Sequence, residues 1–525
     1  MSNILENEIV RRRTFAIIAH PDAGKTTLTE KLLLFGGAIT QAGAVKAKRD
    51  KIHTRSDWME LERARGISVV TSVMTFEYQD CVFNLLDTPG HEDFADDTYR
   101  TLSAVDSAIM VIDAAKGIEP RTLKLFEVCR LRDIPIMIFV NKMDREARSP
   151  IEIIDEIEQK LALEVAPINL PLGQGNSFKG VYNIAGSYFL SGDKATKETI
   201  NVADAIELAN KKGLDSFATE IWKESYELVT GIGPSFDLQS YREGHQAPLY
   251  FGSALRDIGV LELIDDLAQF GIAPAAAKAR SREVEPTESK LSGFIFKIQA
   301  NMDPNHRSSL AFMRVCSGIL KRNVRLNISN SGGKSLNLSA PQFFFGSRRS
   351  LVEQAYPGDV VGIPNNGNLS IGTSLSEGEN IEFLGIPLFA PQILRQCRVS
   401  NALKSKNLSE ALHSLAQEGA VQLFTPENGS NLIIGVIGAL QLDVLEMRLQ
   451  SEYNLDVRFE ASRFNICRWL DGDANDVKQF VSMHKHDMAK DNKGAWVFLA
   501  ANQFELDYAA KNAPSNLKFL DVKQL

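Results

Sequence analysis

The chain has 525 residues, 44% hydrophobic and 24% charged, with a formal net charge of −8. That length implies about three domains at roughly 100–200 residues each, with cores large enough to need no disulfide or metal staple. The acidic balance argues against wholesale nucleic-acid binding, though not against a large RNA partner met through local basic patches.

The five cysteines, Cys81, Cys129, Cys316, Cys397 and Cys467, are scattered and odd in number, which suits a reducing cytosol. The segment from Met1 to Arg13 mixes Glu and Arg without an apolar core, so no signal peptide is expected. No uncharged apolar run approaches a membrane span, and a cytoplasmic protein without membrane contact is expected.

In chain order, Phe15-Ala16-Ile17-Ile18 reads as a buried strand and Leu28 to Leu34 as a helix with an apolar face. Between them runs Ala19-His20-Pro21-Asp22-Ala23-Gly24-Lys25-Thr26-Thr27. Strand, tight loop and helix is the context of a phosphate-binding loop. Backbone N–H groups converge there with the positive end of the helix dipole. Lys25 would reach the β- and γ-phosphates, and the Thr26 hydroxyl would ligate Mg²⁺. Ala19 stands where the pattern G-x-x-x-x-G-K-[ST] usually begins with Gly, a small-for-small change.

Gly36 to Arg65 is long, polar, basic and without a clear period, the mark of a functional or mobile loop. It ends in Arg65-Gly66-Ile67-Ser68, and Val69 to Tyr78 then reads as a strand. The next strand, Cys81 to Leu86, runs into Asp87-Thr88-Pro89-Gly90-His91, with Glu92 to Tyr99 helical. An Asp at a strand's carboxyl end after a phosphate loop holds Mg²⁺ through water. Gly90 lets its N–H approach a γ-phosphate closely. A loop touching that phosphate is ordered by the triphosphate and released on hydrolysis.

Ser107 to Asp113 is a buried strand, Arg121 to Arg132 an amphipathic helix, and Pro135 to Val140 a strand ending at Asn141-Lys142-Met143-Asp144. Strands alternating with helices predict a doubly wound, mostly parallel α/β sheet, with ligands at the carboxyl ends of the strands. The Asp144 carboxylate accepts the N1–H and N2–H of guanine, whereas adenine offers neither, a discrimination of roughly 10⁴-fold. Asn141 is expected to donate toward the base and the Lys142 stem to cover its face. A last strand, Pro248 to Phe251, leads to Ser253-Ala254-Leu255, where a backbone N–H is expected at the guanine O6. These motifs, in order and each at a strand end, predict a Mg²⁺–GTP/GDP site in a domain spanning 1–275. Residues 171–245 break the pattern and read as an insertion.

Pro274 to Lys290 is rich in Ala, Pro and charge, and residues 276–290 read as a linker. Short β-like runs with turns at Ser331-Gly332-Gly333 and Pro357-Gly358-Asp359 predict a β-barrel over 291–388. Mixed strands and helices predict an α+β domain over 389–525. His484 and His486 lack companion ligands and read as surface residues rather than a metal site. The basic clusters at Lys46–Arg55, Lys321–Arg325 and Arg348-Arg349 read singly as solvated faces.

The motifs resemble the translational GTPases, which include elongation, initiation and release factors. Ser56-Asp57-Trp58-Met59-Glu60, Arg65-Gly66-Ile67-Ser68, Asp87 to Phe94 and Asp97 to Leu102 narrow the resemblance to the class II release factors of bacteria, over essentially the whole chain. The resemblance implies that Ser68, often Thr in relatives, closes over Mg²⁺. It implies that His91 orients the attacking water, and no Ras-type Gln follows Gly90. Pro21 replaces an aliphatic residue of elongation factors, leaving open a hydrophobic gate around His91. The implied protein is a monomeric GTPase activated by the 70S ribosome that recycles class I release factors after peptide release. Two alternatives stand beside it. An elongation-factor-G-like or ribosome-protection GTPase needs two more domains than this chain carries. A GTP-binding ribosome scaffold that makes no use of hydrolysis fits poorly with Thr26, Asp87 and His91.

Overall fold

The computed structural model describes residues 2–38, 71–191, 198–231, 233–300, 309–329, 333–338, 341–345, 348–351, 353–428 and 431–524. The expected residue Ser68, the motifs at 56–60 and 65–68 and the basic cluster at 46–55 lie outside them.

The first domain is built on β1 (Arg12–Ala19), β2 (Ser72–Tyr78), β3 (Cys81–Asp87), β4 (Ser107–Asp113), β5 (Ile136–Asn141), β6 (Glu164–Pro167) and β11 (Gln246–Phe251). Their order is β2-β3-β1-β4-β5-β11-β6. All neighbours pair in parallel except β2, which turns back antiparallel onto β3. The period of two along β1 divides its side chains between two layers. Phe15, Ile17 and Ala19 pack with Leu28 and Leu32 of the Lys25–Phe35 helix, while Ala16 and Ile18 face the opposite core. Helices cover both faces, so β1, β4 and β5 read as nearly continuous apolar runs.

The insertion is an antiparallel sheet of β7 (Asn169–Leu172), β8 (Gly180–Asn183), β9 (Tyr188–Leu190) and β10 (Glu198–Thr199), in the order β10-β9-β8-β7. Two helices follow it, Val202–Lys211 and Ser216–Gly231. Buried Glu262 of the helix Val260–Phe270 ties it to the rest of the first domain, accepting from Asn169 Nδ2 at 2.7 Å and Asn183 Nδ2 at 3.0 Å. The N-terminal segment forms the helix Ser2–Arg11, with Leu5 and Ile9 buried one turn apart. The segment expected as a linker carries a short hairpin, Ala277–Lys278 with Glu283–Val284. Arg282 braces it, bonded to Glu288 and Glu379, so the charge read as linker polarity forms a local network.

The second domain is antiparallel: Ser292–Ala300 pairs with Ser309–Ser317, which pairs with Val360–Asn365. Its strand Gln342–Phe345 meets β2 at Phe345 and Met74, so among the described residues one sheet of 15 strands runs through both domains. Among the described residues, ion contacts of Arg12 with Asp359, Arg314 with Asp106 and Lys297 with Asp97 join them. The third domain is an eight-stranded antiparallel sheet with the helices Ser405–Gln417, Ala439–Tyr453, Ala474–Met483 and Gln503–Lys511. His484 stacks on Phe480 with ring centroids 4.3 Å apart.

Candidate functional site

The described sequence motifs converge on the carboxyl ends of β1, β3, β5 and β11. The loop after β1 turns through two left-handed residues, Asp22 at φ 65° and Gly24 at φ 98°. Such torsions aim successive N–H groups toward one point. Gly24 is also required for space, because a Cβ there would lie 2.2 Å from Asn141 Nδ2.

Ala19 closes β1, and half-buried Thr26 and Thr27 sit on the helix's first turn. Lys25 is buried, and its Nζ donates to Asp87 Oδ1 at 2.5 Å. Thr29 Oγ1 donates to the same oxygen at 3.2 Å. Thr88 Oγ1 donates to the Ile17 carbonyl at 2.7 Å, locking β3's end to β1. The Pro89 carbonyl accepts from Arg121 Nη2 at 3.3 Å. Gly90 faces the phosphate loop, where a Cβ would stand 4.0 Å from Pro21 Cα. His20 Nε2 lies 3.2 Å from Glu119 Oε1, and its Nδ1 is buried without a partner among the described residues.

Asn141 is held between two loops. Its Nδ2 donates to the Ala23 carbonyl at 2.9 Å, and its Oδ1 accepts from the N–H of Ala254 at 2.9 Å and of Lys142 at 2.8 Å. It therefore staples the phosphate loop to the loop after β11, and its Nδ2, with two hydrogens, spends one of them on Ala23. Of the backbone N–H groups in the Ser253-Ala254-Leu255 stretch, that of Ala254 is engaged by Asn141. Lys142, at φ 70°, donates from Nζ to the Asp22 carbonyl and to Asp113 Oδ2, the latter at 2.7 Å. Ser253 Oγ donates to Asp144 Oδ1 at 2.6 Å. Buried Met143 is held by its N–H to the Gly252 carbonyl at 3.1 Å, while Leu255 is 47% exposed at the rim.

Asp113, Thr29, Glu119 and Asp93 were not singled out from the sequence. Asp113 ends β4 on the same sheet edge as Asp87 and Asn141, so the strand-end rule points to it. Thr29 lies one turn beyond Lys25. The other two depend on contacts across the fold.

His91 stands at the entrance to the turn Glu92–Phe94, which continues into the helix Ala95–Leu102. That helix meets the other domains. Burial pushes the Asp97 carboxyl up, but Lys297, Arg100 and the Thr71 bonds outweigh it and hold it below the usual range. Arg100 Nη2 donates to the Gly419 carbonyl of the third domain at 3.2 Å.

Residues 10–271 match the family model described as the elongation factor Tu GTP binding domain. Residues 290–378 match elongation factor G domain 2, and 383–510 match the class II release factor RF3 C-terminal domain. Together with the strand-end site, this defines a translational GTPase with a mixed parallel sheet, then a β-barrel, then the release-factor C-terminal domain. The chain is 45% identical to peptide chain release factor 3 of Nitrosomonas europaea over 518 residues, covering 97% of this chain and 96% of that one. It is 46% identical to the same-named protein of Nitrosomonas eutropha over 516 residues, with coverage of 97% and 96%. The chain belongs to the peptide chain release factor 3 family, GTP-binding GTPases of translation termination. A crystal structure from Thermus thermophilus has the same fold at TM-score 0.69 and 22% identity, over 92% of this chain and 72% of that chain. Among the described residues no helix is long and apolar enough to cross a membrane.

Proposed function

We propose that the chain hydrolyses GTP in the cytoplasm when a 70S ribosome activates it, and that the cycle releases class I release factors after peptide release. One observation carries this reading. The loop Asp87-Thr88-Pro89-Gly90-His91 leads without a break into a helix whose Arg100 is bonded to the third domain. A change at the nucleotide thereby reaches another domain, as a switch requires.

The roles proposed for the residues follow from their chemistry and placement. The N–H groups of 20–27 cradle phosphate oxygens, and Lys25, held by Asp87, is poised to pair with them. The Thr26 hydroxyl, on the first turn of its helix, and the Asp87 carboxylate, at the end of β3, are hard oxygen donors that suit magnesium, Asp87 through water, with Ser68 as a further ligand. When bound, Mg²⁺ neutralises charge on the β- and γ-phosphates. Asp144 reads guanine, steadied by Ser253. Gly90 offers its N–H to the γ-phosphate, and His91 orients the attacking water. A loose phosphoryl-transfer transition state needs a positioned water more than a strong base. We take the protein to act as a monomer through ribosomal RNA and ribosomal proteins.

The test is turnover of a class I factor on 70S ribosomes after peptide release, with purified chain and GTP. Faster, GTP-dependent turnover supports the reading. Absent hydrolysis with unchanged turnover contradicts it.

A further inference from the structure

Asp93 touches both His91 and the third domain. Its backbone N–H donates to His91 Nδ1 at 3.3 Å, and its Oδ1 lies 3.4 Å from the same nitrogen. Its other oxygen, Oδ2, accepts from the Leu440 N–H at 2.6 Å. Leu440 lies in the first turn of the Ala439–Tyr453 helix, whose N-cap residue, Gly438, has no side chain to offer. The carboxylate from the first domain therefore caps a helix of the third, where the dipole favours an anion.

Gly438 makes that approach possible. A Cβ there would lie 2.0 Å from Asp93 Cγ. Its own backbone, at φ −140° and ψ 166°, is extended and open to any residue. Glycine at 438 thus serves the contact with Asp93 rather than the local conformation.

We propose that Asp93 is the positioning residue for His91, and that docking of the third domain's helix on Asp93 fixes the imidazole for hydrolysis. This rests on the reading of His91 as the group that orients water. Asp93 offers Nδ1 an N–H when the ring is neutral and a carboxylate when it is protonated, so the ring is held in either state. With Nδ1 so occupied, Nε2 is the nitrogen left to face a water, and it has no protein partner among the described residues. With the third domain undocked, Asp93 loses the bond that restrains it, and the ring loses its fixed orientation. Misplacement by about 1 Å costs roughly 10²-fold in rate.

The test measures kcat for ribosome-stimulated GTP hydrolysis and GDP affinity in Asp93→Ala, Gly438→Ala, His91→Ala and the double variants with His91→Ala. Both Asp93→Ala and Gly438→Ala are expected to lower kcat roughly 10- to 100-fold with GDP affinity unchanged. Neither is expected to lower it further in the His91→Ala background. Gly438→Ala leaves the first domain's sequence intact, so its loss of kcat reports the domain contact itself. Losses that multiply with His91→Ala overturn the positioning role alone, as do single variants with wild-type kcat beside an impaired His91→Ala. A fully active His91→Ala overturns the reading of His91 and this inference with it.

Discussion

Ser253 Oγ donates to Asp144 Oδ1 at 2.6 Å, joining the loop after β11 to the motif after β5. One hydroxyl fixes the carboxylate that we propose reads the base. An Asn at 144 presents a donor toward the N1–H and N2–H of guanine and leaves them poorly met. Xanthine carries an oxygen at C2 and suits the amide. Asp144→Asn should weaken GDP binding by roughly 10²- to 10⁴-fold and favour xanthosine diphosphate. Ser253→Ala, which removes one hydrogen bond, should weaken GDP by about fivefold, close to 1 kcal/mol. Titration with both nucleotides measures each effect, and unchanged base preference in Asp144→Asn contradicts the assignment.

Gly24→Ala meets two obstacles: a left-handed backbone at φ 98° and an Asn141 Nδ2 2.2 Å from the new Cβ. Moving Asn141 breaks its bonds to Ala23 and Ala254 together. The expected cost is about 2–4 kcal/mol in urea unfolding, with nucleotide binding lost.

The phosphate loop, the Asp87 loop and the Asn141–Asp144 loop were legible because each is a short stretch whose chemistry is local. The apolar runs before them fix their places at strand ends. What the sequence concealed is how the loops hold one another. Asn141 has three polar partners, and only the fold shows that they are Ala23, Lys142 and Ala254. The barrel's Pro357-Gly358-Asp359 turn looked featureless for the same reason. Buried Asp359 takes Arg12 from a residue 347 positions earlier. No periodicity signals such a pair.

That pair yields a stability prediction. Arg12 Nε and Nη2 lie 3.1 and 3.2 Å from the two Asp359 oxygens, and both side chains are buried. Asp359→Ala leaves Arg12 short of its main partner at the junction, at an expected cost of about 3–5 kcal/mol. Calorimetry should show the first two domains unfolding in separate steps. A single transition at the wild-type temperature contradicts the role of this contact.

Asp96 sets a pH dependence. Burial pushes its carboxyl up to about 6, against the opposing charge of Arg100. Its Oδ1 has no hydrogen-bond partner among the described residues, and Gln422 Nε2 reaches Oδ2 only at 3.5 Å. The folded state thus holds this proton more tightly than the unfolded chain. Its contribution to stability is full below the ordinary value of 3.8 and is lost as pH rises through about 6. Asp96→Asn should therefore be more stable than wild type at pH 8, by on the order of 1–3 kcal/mol, and equal to it near pH 4. Denaturant unfolding across that range checks the sign, and parallel curves contradict it.

The most direct measurement is GTP hydrolysis with and without 70S ribosomes, for the wild type and His91→Ala. The ribosome should accelerate the wild type strongly, and His91→Ala should lose at least roughly 10²-fold of the stimulated rate while retaining GDP affinity. A His91→Ala protein stimulated as strongly as the wild type would contradict the assignment of His91 as the group that orients water.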